Sequence, residues 1–311
     1  MSIVTWMENN PEESNMKARF FMLPMLLLAT ACQRELDTPE PVVKPEAGSA
    51  SNTFTLTIQA NKGTETRALD LDGNTLNAYW KDTEKVKVYK GSDLLGTLNV
   101  HPDGGEKPAT ATLSGDITAD GLSVDNQLTL LIPRETWDYT QQSGVLTGEG
   151  SIEDTYDYAI ATVRVSAIDG TAVTTTEAEF ENQQSIYRFS FKNGTASLSL
   201  KEFTVYAAGG SLVQSRSFSG GEWASVTGAL VVKPGEATAE PLYVSLRNEN
   251  STTADTYSFV VTASDDALFL ATKAIPASVL ATPGKFIGGT ITVSQPDFSP
   301  VQGTVDANNV L

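Results

Sequence analysis

Asn52-Thr53-Phe54-Thr55-Leu56-Thr57-Ile58-Gln59-Ala60 is the stretch whose pattern decides the fold. Phe54, Leu56 and Ile58 alternate with Thr55, Thr57 and Gln59, so an extended chain here has one apolar and one polar face. A period of two marks a half-buried strand, whereas a helix would return its apolar residues every three or four positions. The pattern recurs downstream. Val86-Lys87-Val88-Tyr89 and residues 94–100 flank Gly91-Ser92-Asp93, a hairpin-like turn. Residues 109–113, 127–132 and 156–165 continue the series, punctuated by Pro102-Asp103-Gly104-Gly105 and Asp120-Gly121.

A second series opens near Phe180. Tyr187, Phe189 and Phe191 alternate with Arg188 and Ser190, and strands are expected over 198–207, 212–218, 230–233, 241–247, 257–263, 269–275 and 286–293. Helical periodicity is nearly absent, with a single turn expected at 277–280. The Thr-rich stretch 169–176 reads as a domain joint. The expected fold class is all-β: two consecutive β-sandwich domains, residues 52–177 and 178–295, then a tail over 296–311.

Upstream, Met16 to Cys32 reads MKARFFMLPMLLLATAC. Lys17 and Arg19 precede an apolar run from Phe20 to Leu28, and small residues lead to the only cysteine. That is the order of a secretory signal, and the apolar run is shorter than the roughly 20 residues a spanning helix needs. Cys32 after Ala29-Thr30-Ala31 resembles a bacterial lipobox, which implies a lipid on Cys32 and anchoring to the outer membrane. Residues 1–15 are polar and acidic and fit no part of a signal, so Met16 is read as the start and residues 1–31 as removed. Residues 32–51, rich in Pro, Glu, Thr and Ser, cannot bury enough surface to fold and read as a flexible tether.

Composition limits the chemistry. A net charge of −17, with no basic run after Cys32, disfavours nucleic acid as a partner. One cysteine and one histidine, His101, remove thiolate and Ser–His catalysis and the common metal-ligand sets. Asp70, Asp72 and Asn74 imitate the start of a calcium loop, but Thr75 and Lys81 stand where Gly and Glu are needed, so the stretch reads as a turn. Glu153-Asp154, Asp265-Asp266 and Glu181 read as solvated surface, not a hydrolase pair. No metal, no cofactor and no enzymatic activity are expected. Trp137 and Tyr139, in an expected loop after Pro133, are the best candidates for stacking on a sugar or peptide ligand.

Thr64-Glu65-Thr66-Arg67-Ala68 follows the first strand and precedes Asn77-Ala78-Tyr79-Trp80 and Val86-Lys87-Val88-Tyr89. With Leu113-Ser114-Gly115, Leu130-Leu131-Ile132-Pro133 and Tyr156-Asp157-Tyr158-Ala159-Ile160-Ala161, this order resembles the fimbrillin family, lipoprotein pilins of type V pili in Gram-negative bacteria. The resemblance runs over about 50–295 and implies transthyretin-like sandwiches. It further implies a cut by an Arg-specific protease between Arg67 and Ala68. That cut would remove the lipid, the tether and the strand carrying Phe54, Leu56 and Ile58. The vacated groove would take a strand from another pilin subunit. Here the donor would come from about 291–310, with Ile291, Val293, Val301 and Val305 as its apolar positions. Pro296 and Pro300 cannot donate to a ladder. On its residues alone Arg67 reads first as a surface arginine in a turn after the first strand, and only the resemblance sets the cut beside that reading. The alternative from another class is a surface glycan-binding protein, anchored permanently through Cys32. No host or bacterial ligand is identified by the residues.

Overall fold

The alternation at the start of the folded region becomes β1 (Asn52–Asn61), which buries Phe54, Leu56, Ile58 and Ala60 and exposes Thr53, Thr55, Thr57 and Gln59. The computed structural model describes residues 52–62, 69–72, 75–249, 253–281 and 283–296, all within one compact unit. A hairpin of β2 (Leu69–Asp72) and β3 (Thr75–Ala78) comes next and holds Asp70 and Asp72. Then come β4 (Lys85–Lys90), β5 (Asp93–Pro102), β6 (Thr110–Ala119) and β7 (Gln127–Ile132). After the short β8 (Thr136–Asp138) and one π turn at Ile152–Tyr156, the chain returns as β9 (Ala159–Asp169), β10 (Ala172–Thr175), β11 (Ala178–Glu179) and β12 (Glu181–Asn182).

These strands do not form an open two-layer sandwich. Hydrogen bonding runs β1-β6-β5-β4-β7-β9, and β10 pairs with both β9 and β1, so the sheet closes into a ring. The closing contact is parallel, Leu56 opposite Val173, whereas β1 and β6 are antiparallel over the whole of β1. The ring is filled by aliphatic side chains, among them Leu56, Ile58, Val86, Leu98, Leu113, Leu128, Val163 and Val173. Close approach of β5 and β6 requires glycine at one point: a Cβ on Gly96 would lie 2.7 Å from the Asp116 carbonyl oxygen. Residues 169–176, expected as a joint, instead form the β9–β10 turn and the closing strand. Val173 alternates inward among exposed small residues, which is enough to seat a short strand.

The rest of the chain supplies β13 (Ser185–Asn193), β14 (Ala196–Ser197), β15 (Leu200–Ala207), β16 (Val213–Ser219), β17 (Glu222–Thr227) and β18 (Leu230–Val232). It ends with β19 (Leu242–Leu246), β20 (Asp255–Ala263), β21 (Leu268–Ile275), the single turn α1 (Ala277–Leu280) and β22 (Phe286–Val293). Here β13 carries β19 on one side and β22, in parallel, on the other. A second sheet runs β18-β15-β20-β21. Between them lies a core rich in aromatic rings, including Tyr187, Phe189, Phe191, Phe203, Tyr257 and Phe259. The two cores are joined where Tyr89 and Leu131, on the outside of the ring, meet Phe218, with the Tyr89 and Phe218 rings 5.0 Å apart edge to face. Among the described residues no helix is long and apolar enough to cross a membrane.

Candidate functional site

β1 has a position no other ring strand shares. It is the first described strand, and residues 63–68 are its covalent link to the next described strand. That segment contains the Arg67–Ala68 bond and lies outside the described residues, as do Cys32 and the tail positions Val301 and Val305. Its partners are unequal. On one side β6 pairs with it from Asn52 opposite Ala119 to Asn61 opposite Thr110. On the other it meets only two short strands, β10 and β11, both parallel. Without β1 the ring would be open between β6 and β10, leaving two unpaired edges and a slot lined by apolar side chains.

Phe54, Leu56 and Ile58 occupy that slot, at 8%, 0% and 1% exposure. Burial of such side chains contributes roughly 1.5–3 kcal/mol each. Outside the slot, the Thr55 hydroxyl donates to Asp116 at 2.9 Å and the Gln59 amide donates to the Thr112 hydroxyl at 3.0 Å. These outward contacts are exposed and add little.

The inward register continues one step past the strand, and there it meets a charge. Lys62 is completely buried. Its ammonium donates to both carboxylate oxygens of Glu84 and to the carbonyl of Tyr79, each at 2.7 Å. It also lies 4.6 Å from the centre of the Trp80 ring, which meets Phe180 edge-on at 5.4 Å. The Lys62 amide donates to Ala109 and the Asn61 carbonyl accepts from Phe180, so the backbone is fixed on both sides. Glu84 accepts a further bond from the Lys81 amide. A buried pair of this kind adds little net stability over a well-packed apolar pair, but loss of one partner alone is strongly destabilising. The sequence reading missed both residues. The signal was present: Phe54, Leu56, Ile58, Ala60 and Lys62 fall on one face, and a lysine on an inward face needs a carboxylate.

Glu84 also lines a polar cavity of about 490 Å³ with Lys81, Lys85, Glu153 and Asp154. The two lysines there are engaged elsewhere, Lys81 with Glu153 and Lys85 with Asn99.

The proposed ligand aromatics lie elsewhere and are not available. Trp137 and Tyr139 are both fully buried. β8 pairs with β16, setting Trp137 opposite Arg216 and carrying it into the second core. There it stacks on Tyr158 at 5.1 Å and packs against Trp223, while its indole N–H donates to the Arg134 carbonyl. Burial pushes the Tyr139 phenol well above its ordinary range and that of Tyr158 up to about 12. The loop after Pro133 is thus a packing element, which corrects the expectation of an exposed stacking platform.

The expected donor stretch is corrected in part. Ile291 and Val293 are buried at 3% each in β22, whose entire length pairs with β13. Ser294 then exchanges two backbone bonds with Leu270, fastening the end of β22 to β21. These residues fill their own core and are not free to enter another. His101 is exposed on β5, opposite Thr112.

No protein-family model and no curated protein matches the chain. Several solved structures are similar to it. A protein of Bacteroides uniformis assigned provisionally to cell adhesion gives a TM-score of 0.43 at 12% identity, over 79% of this chain and 98% of its own. A fimbrial assembly protein of Parabacteroides distasonis gives 0.40 at 8% identity, over 77% and 90%. The tip fimbrial protein of Porphyromonas gingivalis, truncated at its C-terminus, gives 0.34 at 9% identity, over 71% and 81%. With these scores below 0.5, nothing further rests on the likeness.

Proposed function

We propose that the protein is a cell-surface subunit of the fimbrial or adhesin type, and that it takes part in assembly by strand addition rather than in catalysis. It is exported as a lipoprotein, held at the outer membrane through Cys32, and cut between Arg67 and Ala68. The cut frees β1 from the rest of the chain, and an extended strand of another subunit then occupies the slot. One observation carries this reading: β1 closes the ring, fills an apolar slot, and is joined to the remaining strands by a single connection that holds the Arg67–Ala68 bond. Backbone pairing with β6 would supply affinity and the alternate inward side chains would supply specificity. The glycan-binding alternative loses its support with the burial of Trp137 and Tyr139.

N-terminal sequencing of the protein recovered from the bacterial surface tests the reading. A chain starting at Ala68 is expected in sheared surface material. A chain starting only at acylated Cys32 would remove maturation by cleavage and leave a permanently anchored surface protein.

A further inference from the structure

We propose that the outer edge of β22 is a second strand-accepting site, and that its occupant is an extended segment of another protein carrying a carboxylate opposite Gly288. The site is separate from the slot around β1 and does not depend on a cut at Arg67. In the parallel ladder with β13, the Ile186 amide donates to the Lys285 carbonyl. That phase turns the backbone groups of the odd-numbered residues of β22 toward β13, and those of Phe286, Gly288, Thr290 and Thr292 away from it. Ser294, next in the same phase, exchanges its two backbone bonds with Leu270. Over 286–292 no described residue pairs with the outer side of β22. Gly288, Thr290 and Thr292 are exposed there.

Natural sheets blunt an open edge with charge, proline or a bulge, because a bare edge recruits strands. β22, FIGGTITV, has none of these, whereas the neighbouring β21 carries Lys273. Backbone pairing along such an edge supplies affinity for any extended segment, and the side chains beside it select among them. Here those side chains are cationic. Arg188 and Lys192 lie on the outward face of β13, opposite Gly288 and Thr292, and neither β13 nor β22 contains an acidic residue. A Cβ on Gly288 would lie 3.9 Å from Arg188 Nη2, so the guanidinium extends across the bare glycine beside the open edge. No described residue pairs with that guanidinium through a hydrogen bond or salt bridge. A strand added to β22 sets its residue opposite Gly288 next to this cation, where a carboxylate is attracted and a lysine repelled. Pairing of β22 with β22 of a second copy would bring two Arg188 side chains together with no carboxylate between them, which argues against self-association through this edge.

The test uses the full chain and short fluorescent peptides of alternating threonine and valine, with glutamate, glutamine or lysine at the central threonine position. The glutamate peptide is expected to bind about tenfold more tightly than the lysine peptide, the sum of one exposed attraction gained and one repulsion avoided. That preference should shrink at high salt and fall to about twofold in Arg188→Gln. Thr290→Pro should abolish binding of every peptide. Its N–H faces outward, so the ladder with β13 is kept, while the incoming strand loses a donor and meets the pyrrolidine ring. Equal binding of the glutamate and lysine peptides to the unaltered chain overturns the acidic occupant. Binding that survives Thr290→Pro overturns the edge as its location, and absence of binding by every peptide overturns the site. Binding seen only after residues 297–311 are removed makes this chain's own tail the occupant and overturns a separate partner. A dimer of the unaltered chain that Thr290→Pro dissociates does the same in favour of a second copy. The peptide comparison leaves the protein unaltered, so it stands whether or not Thr290→Pro folds, and none of these outcomes bears on cleavage at Arg67.

Discussion

The ring and the second core solve the same problem, closing a β structure around apolar side chains, in opposite ways. The ring core is aliphatic, and its last gap is filled by β1, the first described strand. The second core is aromatic, and the strand at its margin, β22, is covered by β13 on one side and fastened to Leu270 at its end. Charge is also handled differently. The ring buries one lysine against one carboxylate. The second region shares Glu249 between Arg216 and Arg247 at 3.7 and 3.6 Å, with the groups partly exposed. The strand proposed to leave is thus among the best-held segments in the molecule. Spontaneous loss of β1 would expose three large apolar residues' worth of slot and take the Lys62 ammonium away from Glu84. Release is reasonable only as a displacement, in which an incoming strand takes over the same contacts as β1 peels away.

The sharpest way to break this contrast is Lys62→Met in the full chain. Glu84 would keep its burial and lose the ammonium, with an expected loss of about 3–5 kcal/mol in urea unfolding. Adding Glu84→Leu should recover much of it, because an apolar pair of similar volume is tolerated where half an ion pair is not. A loss under about 1 kcal/mol for Lys62→Met would place the pair with ordinary surface bridges and dissolve the distinction.

Next in size are matched truncations of the two marginal strands, Leu56→Ala in β1 and Ile291→Ala in β22. Each should cost about 2–5 kcal/mol, since each leaves a cavity in a filled core. Hydrogen exchange separates them. Weakening β1 should lower protection in β6 and β10 together, because the ring opens at both seams. Weakening β22 should be felt in β13 and leave the ring intact. Unchanged protection of β10 in Leu56→Ala would mean that β10 is held by β9 alone.

How much of this was legible beforehand follows from what each element needed. Strands with clean alternation, such as 54–58 and 127–132, could be placed because the period is local. Ring closure could not, since it depends on β10 pairing in parallel with a strand more than a hundred residues away in sequence, and Ala172-Val173-Thr174 carries no sign of which edge it will meet. Trp137 was misplaced for a related reason. Proximity to Pro133 suggested a loop, but pairing of β8 with β16 turned the indole inward, and tertiary burial overrode the local signal. Lys62 was legible and passed over: counting the inward register one step beyond Ala60 places a lysine on a buried face. Glu84, its partner, could be located only once the fold was in hand.

The smallest expected effect lies in the second region's charges and is read through pH. Desolvation alone would raise the carboxyl of Glu249, but the Ser225 hydroxyl at 2.6 Å and the guanidinium groups of Arg247 and Arg216 outweigh it and hold it below the ordinary 4.5. A carboxylate depressed by folding contributes stability that is fully present above its unfolded value and is lost as pH falls through the folded one. The contribution should therefore be constant from neutrality down to about pH 4.5 and fade below it. Solvent screening at this partly exposed group keeps it within about 1 kcal/mol. Urea midpoints measured from pH 7 down to pH 3 should show a shallower acid decline in Glu249→Gln than in the unaltered chain. The rest of the decline belongs to other depressed carboxylates such as Glu135, held down chiefly by its hydrogen bond from Lys87. If Glu249→Gln instead cost several kcal/mol at pH 7, this shared, half-exposed cluster would be as demanding as the Lys62–Glu84 pair, and the two regions would no longer differ in how they carry charge.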